Sequence, residues 1–359
     1  MKPIRVLVVD ESTVLRQYLT DVLSSDVHID VVGTAPSAMI ARQMIKRLNP
    51  DVLTLDSEMP DMNGLEFLGH LMRLRPMPVI MFSSLRNDGS KAALRALEIG
   101  AFDFVHKPYA EIEETWTSVA ETLIARIKAA ASVSVGSLTS RSHQKSAAPD
   151  APVRPWPRNR IVAIGSSAGG VQALREVFKD LPLDSPPIMV AQHMPAAFTR
   201  GFAARLNENC KVGVHEAKDG QPVRPGNIYI APGNYHLLIE KRSNSFYCRL
   251  EENDGNKFAH IPSVDYLFQS FARVVGRPAM GLVLTGMGKD GASGLRSMRE
   301  AGGITAAQDR ESSLIYGMPK AAMEHGAAQF EISLERVPSF ILERQESVDR
   351  LPHEFDGVA

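Results

Sequence analysis

Cysteine is almost missing from this sequence: Cys210 and Cys248 are the 2 among 359 residues. They stand far apart, form no C-x-x-C pair and have no histidine nearby at ligand spacing. Neither a zinc site nor a disulfide framework is therefore indicated, and both read as free thiols. Net charge is missing too. Lys and Arg number 40 against 41 Asp and Glu, a formal charge of −1. No bulk field draws the chain to nucleic acid or to an anionic membrane, so partner recognition must be local. No apolar run approaches the roughly 20 residues of a membrane span, which argues against insertion into a bilayer. Met1-Lys2-Pro3 leads into a short strand pattern and not into a signal-peptide core, so the expected location is the cytoplasm.

What the chain does have is alternation. Its length suits two domains, each with its own core. Over the first third, β-branched apolar runs mark strands at 4–9, 31–32, 52–55, 79–82 and 102–105, with helix-length amphipathic stretches between them. Strands alternating with helices predict a parallel, doubly wound sheet, whose functional groups gather at the carboxyl ends of the strands. Those ends carry Asp10 and Glu11 after the first run and Asp56 at the third. Ser83 and Ser84 end the fourth, and Lys107 ends the fifth, just before Pro108. Three carboxylates, a hydroxyl and an amine are expected to converge on one edge.

Crowded carboxylates repel unless a cation sits among them, and Mg²⁺, which takes hard oxygen ligands and keeps several waters, suits the cluster. With it in place, one carboxylate can attack phosphorus and hold an aspartyl-phosphate, while the lysine and the hydroxyl each meet a phosphoryl oxygen. Taken singly, each carboxylate also reads as an ordinary loop residue. The set in this order carries the inference. The runs VLVVDES, DVLTLDSEMPDMNGLEFL, Ser83-Ser84 and HKP, within residues 1–128, resemble the receiver domain of two-component response regulators. That resemblance implies a flavodoxin-like α/β fold with a parallel five-stranded sheet. It implies Asp56 as phosphoacceptor, Asp10 and Glu11 beside Asp56 as Mg²⁺ ligands, Ser83 as switch hydroxyl, Phe104 as switch aromatic and Lys107 as phosphate-binding lysine. Glu11 stands where many receivers have a second aspartate, which lengthens one ligand arm. Gly64 fits a turn that opens the next helix.

Between residues 129 and 158 the composition shifts to Ala, Ser, Pro and scattered charge. Such a stretch buries too little apolar surface to offset its ordering entropy and reads as a linker. Trp156, between Pro155 and Pro157, reads as an anchor for the start of the second domain.

Residues 160–170, RIVAIGSSAGG, end an apolar run in G-x-S-x-G, formed by Gly165, Ser167 and Gly169. In that pattern a sharp turn after a strand lifts a serine hydroxyl clear of the backbone, where a Cβ at the glycines would clash. Ser167 is the candidate nucleophile. Ser166 is out of register with the glycines, and a glycine-rich turn without chemistry is the alternative. Strand runs follow at 187–191, 228–230 and 279–285, with a hairpin over 236–250 and helices at 170–178, 198–207, 263–275 and 294–301. Residues 159–345 thus read as a second doubly wound α/β domain, and 346–359 as a tail. His193 falls just past one strand, and Asp290 falls in a glycine-rich turn, 286–291, just past another. His236 and His260 are placed less well, at a strand start and in a charged loop.

Alone, His193 also reads as a structural histidine, Asp290 as a turn aspartate, and 286–291 as a phosphate loop. Together with Ser167 they match one chemistry. A serine hydroxyl needs an imidazole to take its proton, a carboxylate to fix the imidazole tautomer, and backbone N–H groups, here around Gly169, for the oxyanion. The order Ser, His, Asp differs from that of α/β-hydrolases, so the motif does not imply that fold.

IGSSAGG, AQHMP, FTRGFAARLN, KDGQPVRPGNIYIAPGNYH, IPSVDYLF, LTGMGKDGASG and YGMPKAA resemble the catalytic domain of the CheB family of chemotaxis protein-glutamate methylesterases, from residue 160 to about 330. The resemblance implies a Ser167, His193, Asp290 triad with the backbone around Met287 joining the oxyanion site. Ala168 stands where some members carry threonine, and its backbone N–H remains available. The implied activity is hydrolysis of γ-glutamyl methyl esters on chemoreceptor signalling helices, with glutamine deamidation alongside and no cofactor in the esterase site. A CheA-type histidine kinase would phosphorylate Asp56 and relieve the receiver's cover over the esterase. A phosphorylation-switched binding module with a non-catalytic second domain is the competing class. A transcriptional regulator fits less well, because no basic recognition helix is present.

Overall fold

A computed structural model describes residues 2–83, 89–107, 116–133, 160–252 and 260–343. Ser84, Pro108, Trp156, most of the 129–158 stretch and the 346–359 tail lie outside them. The chain divides into two units, Met1–Gln144 and Lys145–Ala359.

In the first unit, strands β1 (Ile4–Val9), β2 (Ile29–Ala35), β3 (Val52–Leu55), β4 (Val79–Ser83) and β5 (Asp103–His106) alternate with helices α1 (Thr13–Ser24), α2 (Ala38–Leu48), α3 (Gly64–Leu74), α4 (Gly89–Ile99) and α5 (Trp116–Ala131). The sheet runs β2-β1-β3-β4-β5, and every pairing is parallel. This is the flavodoxin-like order. The apolar runs of β1 and β3, interrupted only by Arg5 and Thr54, follow from burial on both faces over 6–9 and 52–55. Local signals set the helix starts. The side chains of Ser12, Ser37 and Asn63 accept backbone N–H groups from the first turns of α1, α2 and α3.

In the second unit the chain runs β6 (Ile161–Ser166), α6 (Gly170–Phe178), β7 (Ile188–Gln192), α7 (Ala196–Asn209), β8 (Gly213–Glu216), β9 (Asn227–Ile230), β10 (Tyr235–Arg242) and β11 (Ser245–Glu252). It continues through α8 (Val264–Val274), β12 (Ala279–Val283), α9 (Ala292–Glu300), β13 (Ile304–Gln308), α10 (Met318–Glu324), β14 (Phe330–Ile332) and α11 (Val337–Leu342). Seven strands form a parallel sheet in the order β14-β13-β12-β6-β7-β9-β8, and β10 pairs antiparallel with β11 in a sheet of its own. Helix α8 buries Val264, Leu267, Phe268 and Phe271, the spacing of one helical face. They join Ala163, Met189, Val283, Leu295 and Met298 in the core.

One consequence of this strand order locates the site. β6 lies between β7 and β12, so the chain leaves β6 in one direction and later returns to its other side. Ligands of doubly wound sheets bind at that switch point, outside the carboxyl ends of the strands. Ser167, His193 and Asp290 each follow one of those three strands. The sheet is wider than the sequence runs indicate: β8, β13 and β14 were not legible as strands, and β2 extends to both sides of Val31 and Val32. Among the described residues no helix is long and apolar enough to cross a membrane.

Candidate active site

The turn after β6 is built around glycines for steric reasons. Gly169 has φ +79°, and a Cβ there would stand 2.7 Å from Leu314 Cβ. At Gly165 a Cβ would collide with Val264, so β6 runs hard against the first turn of α8. Ser167 donates its N–H to the Thr285 carbonyl at 3.0 Å and accepts the Gly170 N–H at 2.8 Å, which closes the turn. The loop after β12 lies alongside, since a Cβ on Gly286 would sit 2.8 Å from Ser167 Cβ. Met287, 41% exposed, follows directly. Gly169 caps α6 without a side-chain bond, and the first amides of a helix have no intrahelical acceptor. Buried Thr285 ties this region together. Its hydroxyl donates to the Ala168 carbonyl at 3.0 Å and accepts the Ile315 N–H at 2.9 Å, and its N–H donates to Gln308 Oε1 at 2.8 Å. Ser166 points the other way: it is fully buried and donates to Gln192 Oε1 at 2.6 Å.

His193 is held at the end of β7 by its own N–H, which donates to the Ser166 carbonyl at 3.0 Å. Its Nε2 lies 2.8 Å from Asp290 Oδ2. Asp290 in turn sits at the N-terminus of α8. Its Oδ2 accepts the Val264 N–H at 2.8 Å, and its Oδ1 accepts the Asp265 N–H at 2.9 Å and the Ser263 hydroxyl at 3.1 Å. Burial alone would raise the carboxyl pKa; the bond and charge of His193 and the two amides overcome that and hold it down at about 2. Asp290 is therefore an acceptor at neutral pH. In the neutral imidazole this bond puts the His193 proton on Nε2 and the lone pair on Nδ1.

The neighbouring Asp265 is in the opposite situation. Burial pushes its carboxyl up to about 6 although it accepts the Gly294 N–H at 2.6 Å. The two histidines placed less well by the sequence have separate surroundings. The His260 ring stacks on that of His193, centroids 4.5 Å apart and 26° between planes. His236 is buried in β10, and its Nδ1 accepts the Ser263 N–H at 3.2 Å. Sequence reasoning missed the supporting donors. Ser263 is the N-cap of α8, which its position before an apolar helix signals, but nothing local signals that the first turn also binds a carboxylate from a distant loop.

In the first unit the strand ends bring Asp10, Asp56 and Lys107 together. Lys107 Nζ lies 2.7 Å from Asp10 Oδ2 and 2.6 Å from Asp56 Oδ2. Burial pushes the Asp56 carboxyl up to about 6 against the pull of Lys107, and the charge of Asp10 adds to the rise. Burial disfavours the charge on Lys107, yet the two carboxylates outweigh it and raise its pKa. Ser83 Oγ lies 2.5 Å from Ser57 Oγ, Phe104 is buried and Glu11 is exposed. Gly64 packs so closely on the Asp56 carbonyl that a Cβ has no room. Among the described residues no group of three His, Cys, Asp or Glu side chains is arranged to hold a metal. Two buried carboxylates with hard oxygens do fit Mg²⁺, which needs one or two and fills the rest of its shell with water.

Comparison with known proteins matches two stretches of the chain to two families. The CheB methylesterase model covers residues 162–341, and the response regulator receiver domain model covers residues 6–116. A protein-glutamate methylesterase/protein-glutamine glutaminase of Chromohalobacter salexigens is 45% identical over 97% of this chain and 98% of its own length. The protein of the same name from Escherichia coli strain K12 is 44% identical over 95% of this chain and 97% of its own. Among solved structures, the Thermotoga maritima CheB methylesterase catalytic domain aligns with a TM-score of 0.50 at 36% identity, covering 51% of this chain and 97% of that one. A strand-end Ser, His and Asp around one switch point, an acidic strand-end cluster in a second sheet and near full-length identity to these enzymes have one common explanation: the chain belongs to the CheB methylesterase family and is an enzyme that carries a response-regulator receiver domain.

Proposed function

We propose that the chain hydrolyses γ-glutamyl methyl esters, and deamidates specific glutamines, on the signalling helices of chemoreceptors, and that phosphorylation of Asp56 turns the activity up. Ser167 Oγ attacks the ester carbonyl as His193 Nδ1 takes its proton. The C–O bond to the methoxy group then breaks, and the imidazolium returns the proton, so methanol leaves and an acyl-enzyme remains. Water repeats the sequence: His193 takes its proton, the Ser167 ester bond breaks and the glutamate is released. With a glutamine substrate, ammonia leaves in place of methanol. Asp290 holds the Nε2 proton and stabilises the imidazolium. Backbone N–H groups of Ala168, Gly169 and the Met287 segment receive the oxyanion.

The observation that carries this reading is the Asp290 carboxylate, bonded to His193 and held ionised by it and by the amides of Val264 and Asp265, beside the glycine elbow. The test is Ser167→Ala. It should remove methanol release from methylated receptor membranes, and full retention would sink the assignment.

For the switch, a CheA-type histidine kinase supplies the phosphoryl group and the Asp56 carboxylate receives it. Asp10 and Asp56 would hold Mg²⁺, with the exposed Glu11 as the third ligand only if its side chain turns inward, and the bound ion would neutralise charge on the phosphoryl oxygens. Lys107 then leaves the carboxylate pair for a phosphoryl oxygen, Ser83 leaves Ser57 for another, and Phe104 repacks behind it. Support comes from the receiver match and from Lys107, which already bridges both buried carboxylates. Residues 155–359 alone should release methanol faster than the unphosphorylated full chain; equal rates would contradict this control.

A further inference from the structure

Gln192, the last residue of β7, is 3% exposed and makes three hydrogen bonds with one amide. Its Oε1 accepts the Ser166 hydroxyl at 2.6 Å. Its Nε2 donates to the Ser167 carbonyl at 2.9 Å and to the His193 carbonyl at 3.1 Å. Both carbonyls can only accept, so the amide can point only one way. No other side chain of this length offers two donors on one atom and an acceptor on the next without a charge. The space around it is reserved as well: a Cβ on Gly170 would collide with Gln192 Oε1 and stand 2.8 Å from Ser166 Oγ.

This amide joins the main chains of two residues that follow different strands. Ser166 and Gln192 are register partners across β6 and β7, so Ser167 and His193 are the first residues beyond the ladder on each side. The ladder's last bond runs from the His193 N–H to the Ser166 carbonyl. Beyond it, the carbonyls of Ser167 and His193 both rest on Gln192 Nε2.

We infer that Gln192 is a positioning residue, which sets the separation of the Ser167 hydroxyl and the His193 imidazole by holding both backbones on a single nitrogen. The inference rests on the proposed roles of Ser167 and His193. Gln192 does not touch substrate. Its effect is on alignment, to which rates are steep: a displacement of about 1 Å costs on the order of 100-fold.

The test uses the full chain with Gln192→Met, which keeps length and burial but has no donor, and Gln192→Glu, which keeps shape but sets oxygens against both carbonyls. Three quantities are measured: kcat and KM for methanol release from methylated receptor membranes, the rate at which a serine-directed phosphonate labels Ser167, and the thermal unfolding midpoint. The expected result is a kcat lower by roughly 10- to 100-fold, an equal slowing of phosphonate labelling, and KM within about twofold of wild type, in protein that is folded at the assay temperature. Ser166→Ala, which leaves both Nε2 bonds in place, should lose less than about threefold. Wild-type kcat and labelling in either folded Gln192 variant would overturn the inference, as would a loss no larger than the unfolded fraction. Ser167→Ala in parallel separates the two levels. If it still turns over substrate, the nucleophile assignment fails; if it is dead while the Gln192 variants are fully active, only the positioning role fails.

Discussion

His193 Nε2 and Asp290 Oδ2 stand 2.8 Å apart, and the same Asp290 oxygen accepts the N–H of Val264. The carboxylate that orients the imidazole is thus itself oriented by the first turn of α8. The packing of a helix and the tautomer of a histidine are one structural problem here.

Asp290→Asn tests the tautomer. The asparagine oxygen would keep the Asp265 N–H and the Ser263 hydroxyl, which puts its NH₂ in the place of Oδ2, against the Val264 N–H and His193, and forces Nε2 to accept. The imidazole proton then moves to Nδ1, where the lone pair is needed. The expected outcome is a kcat for methanol release lower by about 10³- to 10⁴-fold with KM little changed. Wild-type kcat would show that Asp290 does not set the tautomer.

The same carboxylate predicts a pH dependence of stability. Its folded pKa lies at about 2, below the ordinary 3.8, so folding favours the charged form. That contribution is present above pH 4 and is lost as pH falls towards 2. Its size is about 2 kcal/mol. The difference in unfolding free energy between wild type and Asp290→Asn should shrink by that amount between pH 4 and pH 2, measured by denaturant unfolding. A constant difference would contradict the depressed pKa.

Gly165→Ala tests how packing reaches the chemistry. The added Cβ meets Val264, whose N–H holds Asp290, so α8 must shift away from β6. Overpacking of this kind costs about 1–3 kcal/mol. We expect a lower unfolding midpoint together with a kcat loss of roughly tenfold or more in the folded protein. A destabilised variant with wild-type kcat would show that the helix does not position Asp290.

The Ser57–Ser83 pair predicts the cost of switching. The two hydroxyl oxygens are 2.5 Å apart, and in the proposed switch Ser83 leaves Ser57 to meet a phosphoryl oxygen. A hydrogen bond of this type contributes about 1 kcal/mol. Ser57→Ala should therefore lower the acyl-phosphate concentration that half-activates methanol release by about fivefold. No change would mean that Ser57 does not restrain Ser83.

Much of this arrangement was legible in the sequence because it sits in backbone chemistry. Glycines at 165 and 169 are needed where a Cβ collides, and unbroken apolar runs such as 161–164 come from strands buried on both faces. Those signals located the ends of β6, β7 and β12 and hence the candidate trio. β13, ITAAQ, was missed because its two β-branched residues, Ile304 and Thr305, are followed by small alanines and a glutamine, β14 because it has three residues, and β8 because Gly213, His215 and Glu216 interrupt its apolar pattern. Gln192, Thr285 and the amides of Val264 and Asp265 were illegible for a different reason. Each acts through a partner at least 20 residues away in the chain, and no local pattern records such a partner. His260 was discounted as a loop residue, although its ring lies against His193.

The most direct test of the account is methanol release from methylated receptor membranes by the full chain, with and without an acyl-phosphate donor and Mg²⁺, alongside Ser167→Ala and Asp56→Asn. The account predicts release by wild type that rises with the donor, release by Asp56→Asn that does not respond, and none from Ser167→Ala under either condition. Donor-stimulated methanol release by Ser167→Ala would contradict it.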